Sequence, residues 1–295
     1  MIVLTAPTGR IGRQVLDALL DGGEKVRVIA RDPAGLTPKA RERVEVVQGS
    51  HSDPKVLGEA FEGADSVLWL VPPDPGAHDV REHYLGFTRP ACEAVKDRGV
   101  RRVVGVSSLG RAYGAPAGQL SAAFAMDEMI ESTGAAYRSL AMPFFMENLL
   151  HQTDALTTRG VFSAPVAADR PLALVATRDI AAVAARLLAD DSWSGQGTVP
   201  VIGPDSLTPD DMARVLSEVL ERPVRFERPD GEEYKATLTR YGMHEAWAQG
   251  LLDMAAAQDD GIYEPEWRAL TTPAPTGFRQ WCREVLIPAA RTTAA

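Results

Sequence analysis

The feature that most constrains this chain is a glycine-containing turn that follows its first apolar run. The apolar run Ile2–Ala6 leads into the turn Ala6-Pro7-Thr8-Gly9-Arg10-Ile11-Gly12, of which Ala6 is the first residue. The turn opens an amphipathic helical pattern that ends at Gly22-Gly23. Such a turn leaves backbone N–H groups free, and the start of a helix favours negative charge. A tight strand-to-helix turn without a ligand is the alternative, and Ala6 replaces the usual first glycine. We predict contacts to a dinucleotide pyrophosphate from Ala6, Thr8, Gly9, Arg10, Ile11 and Gly12.

Short apolar runs alternate with helical patterns over residues 1–142, which is typical of repeated βαβ units. The predicted fold class is α/β, with a Rossmann-type doubly wound parallel sheet in a domain of residues 1–142. Beyond residue 143 the alternation is looser, and Pro and Gly are frequent between the elements. We predict a smaller α/β C-terminal substrate lobe over residues 143–295, and a return of some of this chain to the first sheet stays open.

The end of the second predicted strand bears on the choice between two nicotinamide cofactors. Val26–Ala30 is followed by Arg31 and then Asp32. At this position an arginine pairs with the 2′-phosphate of NADPH, whereas a carboxylate accepts a hydrogen bond from the ribose hydroxyl of NADH. Because Arg31 comes first, we predict NADP(H), with NAD(H) as the alternative. Asp32 could equally cap the turn that follows.

Further cofactor contacts are predicted where later strands end. Ser50 and His51 follow the third strand and are expected near the adenine, although Asp53-Pro54 also suits a loop that merely caps the next helix. Val71 and Pro72 follow the fourth strand and are expected beneath the nicotinamide ribose, unless the prolines simply terminate that strand.

The fifth strand ends in two hydroxyl side chains, Ser107 and Ser108. Ligands of open α/β sheets bind at this carboxyl edge, so Ser107 is a candidate cofactor contact. A nucleophile elbow would need Gly-x-Ser-x-Gly, but Leu109 stands where the second glycine belongs. Hydrolase chemistry is therefore not expected.

Composition excludes several other classes of function. The net charge of −9 disfavours nucleic-acid binding, and no apolar run reaches the roughly 20 residues that a membrane span requires. Cys92 and Cys282 form neither a disulfide framework nor a zinc motif, and His78 and His83 do not share a helix face, so no metal site is expected. The N-terminus lacks a signal-peptide pattern, which indicates a cytoplasmic protein. The oligomeric state is not determined by these patterns.

The motifs together resemble the NmrA-like branch of the atypical short-chain dehydrogenase/reductase superfamily, over nearly the whole chain. The opening turn is similar to its Gly-Ala-Thr-Gly-x-x-Gly, and the end of the second strand also resembles it. Ser132-Thr133-Gly134 through Pro143-Phe144-Phe145-Met146-Glu147-Asn148 resembles its passage of the form SG…RP-x-F-x-EN. Arg178-Asp179-Ile180-Ala181 and Gly203-Pro204-Asp205 resemble its later signatures. The resemblance implies a protein that binds NAD(P), with quinone reduction among its possible activities.

The chain departs from the superfamily at the residues that handle protons. None of its six tyrosines is followed by lysine at the fourth position, so the usual Tyr-x-x-x-Lys pair is missing. Ala123 stands where many NmrA-like reductases have a lysine four residues before an acidic residue, here Asp127, and Met142 replaces an arginine. No general acid can be assigned. Ser107, Tyr113, His51 and His83 are weak candidates.

A substrate that needs no placed acid is a quinone, because hydride addition gives a phenolate whose conjugate acid has a pKa of about 10. We therefore predict NAD(P)H-dependent reduction of a quinone-type polycyclic aromatic substrate, in aromatic polyketide tailoring or before hydroxylation by a partner enzyme. The alternative is a redox sensor that binds NAD(P) without turnover. Individual aromatic residues could instead belong to the core. The predicted pocket residues are Trp69, Ser108, Tyr113, Phe144 and Phe145.

Overall fold

The computed structural model describes residues 1–293, in which strands and helices alternate along most of the chain. No helix in this range is apolar over the length that crossing a membrane requires. The strands are β1 (Ile2–Leu4), β2 (Val26–Ala30), β3 (Glu45–Gln48), β4 (Ser66–Trp69), β5 (Arg102–Ser108), β6 (Ala136–Met142), β7 (Phe144–Phe145), β8 (Val161–Ser163), β9 (Leu172–Val175), β10 (Gln196–Pro200), β11 (Ser206–Leu207) and β12 (Arg225–Glu227). The α-helices are α1 (Arg10–Asp21), α2 (Pro38–Arg41), α3 (Pro54–Ala60), α4 (Val80–Arg98), α5 (Gln119–Glu131), α6 (Thr153–Arg159), α7 (Thr177–Ala189), α8 (Pro209–Val219), α9 (Gly231–Arg240), α10 (Glu245–Asp259), α11 (Glu264–Arg268), α12 (Phe278–Trp281) and α13 (Ile287–Thr293).

The main sheet has seven strands in the order β10-β6-β5-β4-β1-β2-β3. Strand β1 pairs in parallel with both β2 and β4, and the pairs β2–β3 and β4–β5 are also parallel. The chain runs outward from β1 in one direction to β3 and then starts again from β4 on the other side. This reversal makes the carboxyl ends of β1 and β4 the switch point at which such sheets bind ligands. The predicted α/β Rossmann-type fold class is confirmed.

The chain folds into two compact units, and each unit consists of three separate segments of the sequence. Unit one contains residues 1–108, 120–141 and 180–199, and unit two contains residues 109–119, 142–179 and 200–295. Residues 180–199 belong to unit one because β10 extends its sheet next to β6. Along the sequence, unit two begins at residue 109, and the chain returns to unit one over residues 120–141 and 180–199.

The core of unit one lies between the sheet and the helices α3, α4 and α5. Periodicity explains the packing of α1 on the sheet, since its buried residues Ile11, Val15, Leu16, Leu19 and Leu20 recur at helical spacing. Apolar strand residues meet helix residues in one cluster. That cluster includes Val3, Ile29, Val67, Trp69, Val103, Leu57, Phe61, Ala91, Val95, Met126 and Ile130.

Unit two has a three-stranded sheet, β11-β9-β7, a two-stranded sheet, β12-β8, and its own apolar core. Glu147 is buried beside this core and acts as a structural anchor. Its carboxylate accepts hydrogen bonds from the backbone N–H of Thr177 at 3.0 and 3.1 Å, the Thr177 hydroxyl at 2.8 Å and the Trp281 indole at 3.1 Å. The glutamate of the Phe144–Asn148 passage therefore satisfies donors at the first residue of α7.

Candidate functional site

The glycine-containing turn after β1 connects this strand to α1 and is held against the end of β4. Thr5, fully buried, donates its hydroxyl to the Leu68 carbonyl at 2.9 Å and accepts from the Leu70 N–H at 3.0 Å, which ties the ends of β1 and β4 together. Ala6 then takes a positive φ of 49°, and the Gly9 N–H donates to the Ala6 carbonyl at 3.1 Å. Ala6 adopts the left-handed conformation for which glycine is the usual residue.

The start of α1 can receive an anion. Gly9 is the N-cap and supplies no side-chain hydrogen bond, and the first turn of the helix contains no acidic residue. Its first N–H groups are therefore not capped by a side chain, and the helix dipole adds positive potential there. A Cβ on Gly12 would lie 2.1 Å from the Ala6 carbonyl oxygen, so only glycine permits this close packing of helix and turn. These residues fit a dinucleotide pyrophosphate.

In the turn after β2, Asp32 has the capping role that the sequence allowed for it. Its carboxylate accepts a hydrogen bond from the Ala34 N–H at 2.9 Å and caps the short 3₁₀ helix Pro33–Gly35. Arg31 is exposed. Gly35 lies against the turn after β1, since a Cβ on Gly35 would be 3.0 Å from the Thr8 methyl carbon. Asp32 thus has a structural partner, while the guanidinium of Arg31 lies on the surface of the same unit.

Two histidines hold the segment that follows β4. His51, buried, lies 3.1 Å through Nε2 from the Leu70 carbonyl, and His83 lies 2.8 Å through Nε2 from the carbonyl of Pro72. Both imidazoles pack against the Phe87 ring, with centroid distances of 4.9 and 5.1 Å. An imidazole with a proton on Nε2 donates in this arrangement. The two histidines therefore fix the backbone predicted to pass beneath the cofactor.

His51 should make the stability of the protein fall in mild acid. Burial lowers its pKa from 6.5 to about 4, and repulsion from Arg31 and His83 adds to this against the hydrogen bond to Leu70. The unfolded chain binds the proton first, so the free energy of unfolding falls as the pH drops from 6.5 to about 4, by about 3 kcal/mol.

We expect His51→Phe to remove this part of the pH dependence, measured by urea unfolding at several pH values. His151→Gln, at an exposed histidine, is the control and should follow the wild-type curve. Parallel curves for His51→Phe and wild type would show that His51 is not held neutral.

Ser107, at the end of β5, belongs to a hydrogen-bonded group that we call the Asp127 cluster. Asp127 on α5 is 1% exposed and accepts from Ser107 at 2.7 Å, from Ser139 at 2.9 Å and from Tyr137 at 2.6 Å. Burial, followed by the charge of Asp127, raises the pKa of Tyr137 well above 10. Tyr137 therefore stays protonated and acts as a donor.

Other predicted contacts of unit one have structural roles of their own. Trp69 is 1% exposed within the core cluster and donates its indole N–H to Thr88 at 3.2 Å, so it has no face for stacking on a ligand. Trp69 therefore has the core position that the sequence left open as the alternative to a pocket wall. Asp53 caps α3 through the Lys55 N–H, and Ser50 lies 2.8 Å from the Ser52 hydroxyl. Ser108 and Val71 are buried at 8% and 6% exposure, and their contacts to ligands, with those of Ser50 and Pro72, stay predictions.

The remaining predicted pocket residues lie in unit two. Tyr113 donates its phenol to Asp260 at 2.8 Å, and this hydrogen bond raises the Tyr113 pKa. Phe144 and Phe145 form β7, which pairs in parallel with β9, and both are half-buried. Phe144 packs against the core of unit two. A stacking role for the two phenylalanines stays a prediction.

A family model decides the relationship that the motifs suggested. The model of the NmrA-like family matches residues 1–275. The chain belongs to the NmrA-like family. Its curated relatives include a (4-alkanoyl-5-oxo-2,5-dihydrofuran-3-yl)methyl phosphate reductase of Streptomyces griseus, 31% identical over 96% of this chain and 97% of that protein. An NAD(P)H azoreductase of Xenophilus azovorans is 28% identical over 87% and 86%.

The fold of this NmrA-like chain also matches solved structures. The NADPH-dependent quinone oxidoreductase QOR2 of Escherichia coli, complexed with NADPH, superposes with a TM-score of 0.82, 23% identity and coverage of 97% of this chain and 100% of that one. At this identity the likeness supports the fold.

The partner of Ser107 was not recognised from the NmrA-like sequence. The sequence indicated Asp127 only as the acidic residue four positions after Ala123. A signal was present, since Asp127 is the one carboxylate among the buried positions of α5, beside Leu120, Ala122, Ala123, Met126 and Ile130. A charged residue on a buried helix face calls for hydrogen-bond donors nearby, but the sequence does not say which donors.

Proposed function

We propose that this protein is an NADPH-dependent reductase that delivers hydride to a quinone-type polycyclic aromatic substrate. The observation that carries the proposal is that two of its candidate acids already donate their hydroxyl protons to carboxylates of the protein. Ser107 donates its proton to Asp127, and Tyr113 donates to Asp260. A hydride acceptor whose reduced form is weakly basic does not require a proton from these hydroxyls, so it suits this protein. Reductase relatives, among them the azoreductase and the phosphate reductase, support this class of activity.

NADPH is the proposed cofactor because of the residues at the ends of β1 and β2. The first turn of α1 would hold the pyrophosphate, and Arg31 would pair with the 2′-phosphate. Asp32, the residue that would favour NADH, already caps the 3₁₀ helix after β2. NADH remains the second choice for the cofactor assay.

In the proposed mechanism the chain binds and orients two flat ring systems, the nicotinamide of NADPH and the quinone. NADPH, when bound, supplies two electrons and one proton as hydride. Within unit one, the turn of Ala6–Gly12 and the segment held by His51 and His83 would position the cofactor. Stacking of Phe144 and Phe145, in unit two, on an aromatic substrate is a separate expectation. Water then protonates the phenolate product, since its conjugate acid has a pKa of about 10. The hydroquinone would suit a hydroxylating partner enzyme, and we place the reaction in aromatic polyketide tailoring.

The first test is anaerobic oxidation of NADPH and NADH with a panel of benzo-, naphtho- and anthraquinones, followed by absorbance. We expect protein-dependent oxidation of NADPH, fastest with a multi-ring quinone. Tight binding of NADPH and NADP⁺ without turnover of any quinone would instead support a redox sensor.

A pair of variants at Gly9 tests the cofactor site independently of the substrate. Gly9 has extended backbone angles, φ −73° and ψ 168°, and a Cβ there would lie 3.3 Å from the Ala6 carbonyl oxygen. Asp and Asn have almost the same size and both cap helices well, so each should fold. Only Asp adds a negative charge beside the pyrophosphate. We expect Gly9→Asp to weaken NADPH binding at least about tenfold relative to Gly9→Asn, and equal dissociation constants would place the cofactor elsewhere.

A further inference from the structure

The Asp127 cluster buries a carboxylate directly behind the carboxyl end of β5. Ser107 and Ser139 both donate to Oδ2 of Asp127, and Tyr137 donates to Oδ1. The sheet is shaped to admit this arrangement: a Cβ on Gly105 would lie 2.0 Å from the Tyr137 hydroxyl oxygen. Glycine at position 105 therefore makes room for the Tyr137 phenol.

Donation to Asp127 determines what Ser107 can offer to a ligand. A serine hydroxyl has one proton and two acceptor lone pairs. Because the proton is directed to Oδ2 of Asp127 at 2.7 Å, the side chain presents only lone pairs to other groups. In this arrangement Ser107 can accept a hydrogen bond from a ligand at the sheet edge but has no free proton to donate to it.

The same hydrogen bonds favour the ionised form of Asp127. Burial favours the neutral acid, whereas donors that point at a carboxylate stabilise its negative charge, and Asp127 has three such donors in Ser107, Ser139 and Tyr137. Tyr137 remains a donor, since burial and the neighbouring carboxylate keep its pKa well above 10. A negative charge in a buried site acts over a longer distance than one on the surface.

We propose that Asp127 is a positioning residue of the reductase: it holds Ser107 as a hydrogen-bond acceptor, and its charge favours the oxidised cofactor over the reduced one. The inference rests on the proposed function. Hydride transfer moves one proton and two electrons from NADPH to the quinone, and the nicotinamide ring gains one positive charge. The quinone becomes a hydroquinone anion, which takes its second proton from water. With the cofactor bound, Asp127 would stabilise the positive charge that hydride transfer leaves on it.

The test compares the dissociation constants of NADP⁺ and NADPH in Asp127→Asn and in wild type, measured by calorimetric titration. We expect Asp127→Asn to weaken NADP⁺ relative to NADPH, with a change in the ratio on the order of tenfold. By the thermodynamic cycle, that change raises the two-electron potential of the bound cofactor by about 30 mV. A role in folding alone would weaken both forms equally.

The matched control is Glu128→Gln, which makes the same change of charge one residue further along α5, where the side chain is exposed. Its ratio should stay within about twofold of wild type because solvent screens an exposed charge. An unchanged ratio in folded Asp127→Asn, or an equal shift in Glu128→Gln, would overturn the proposal.

Asp127→Ser is a second neutral variant, in case the amide does not fit among three hydroxyl donors. Circular dichroism selects the folded variants. Failure of the proposed function is distinguishable: it would appear as a lack of quinone turnover, whereas failure of this inference leaves turnover and binding intact.

Discussion

Replacing Gly12 with alanine is expected to destabilise the protein by roughly 3 kcal/mol or more and to abolish saturable NADPH binding. The added Cβ would lie 2.1 Å from the Ala6 oxygen, 2.9 Å from the Ala6 carbonyl carbon and 3.2 Å from the Pro7 Cα. All three are backbone atoms, so no side-chain rotation relieves the overlap. The start of α1 must move away from the turn, which displaces the N–H groups proposed to hold the pyrophosphate. Urea unfolding and calorimetric titration measure the two effects.

Gly22→Ala is the control at the other end of the same helix. Gly22 has a right-handed φ of −72°, and a Cβ there would meet its nearest atoms, the Leu19 and Ala18 carbonyl oxygens, at 3.4 and 3.5 Å. Alanine fits such a position, so stability should change by less than about 1 kcal/mol. Wild-type stability in Gly12→Ala would show that α1 does not pack against the turn as closely as described.

Removing the Glu147 carboxylate should have the largest effect on unit two. Glu147→Ala leaves the Thr177 N–H, the Thr177 hydroxyl and the Trp281 indole N–H without this acceptor, and it opens a cavity beside the core. Loss of hydrogen bonds to a buried charged group costs about 1.5–3 kcal/mol each before relaxation, so we expect destabilisation of about 4 kcal/mol. Urea unfolding followed by tryptophan fluorescence measures the loss.

Glu93→Ala is the matched control, because Glu93 is exposed on α4. It should change the free energy of unfolding by no more than about 0.5 kcal/mol. If Glu147→Ala were equally mild, the glutamate of the Phe144–Asn148 passage would not anchor the start of α7, and that passage would require another explanation.

The strand-turn-helix unit proposed to hold the cofactor was largely predictable because its determinants are close together in the sequence. Gly9, Gly12 and the apolar stripe of α1 belong to one strand-turn-helix unit, whose geometry follows from backbone conformation and helical periodicity. The choice between Arg31 and Asp32 was not decided in this way. Either role of Asp32 uses the same carboxylate, and only the Ala34 N–H at 2.9 Å assigns it to the cap.

Trp69 illustrates a choice that the sequence pattern left open. An apolar residue on a buried strand suits both a core and the wall of an apolar pocket, so its position in the sequence does not separate the two. Packing decided the matter, since helix α4 supplies Thr88 as partner of the indole. The sequence also left open the return of residues 180–199 to unit one, because strand order depends on pairings between distant segments.

The sequence by itself determined the fold class, the family resemblance and the turn proposed to hold the pyrophosphate, because each depends on local spacing and residue type. Tertiary structure alone decided the partners of the polar groups. Ser107 and Asp127 are 20 residues apart, and Glu147 and Trp281 are 134 residues apart, yet each pair shares a hydrogen bond in a buried place. A buried polar group must find a partner, but which one it meets depends on how distant elements pack.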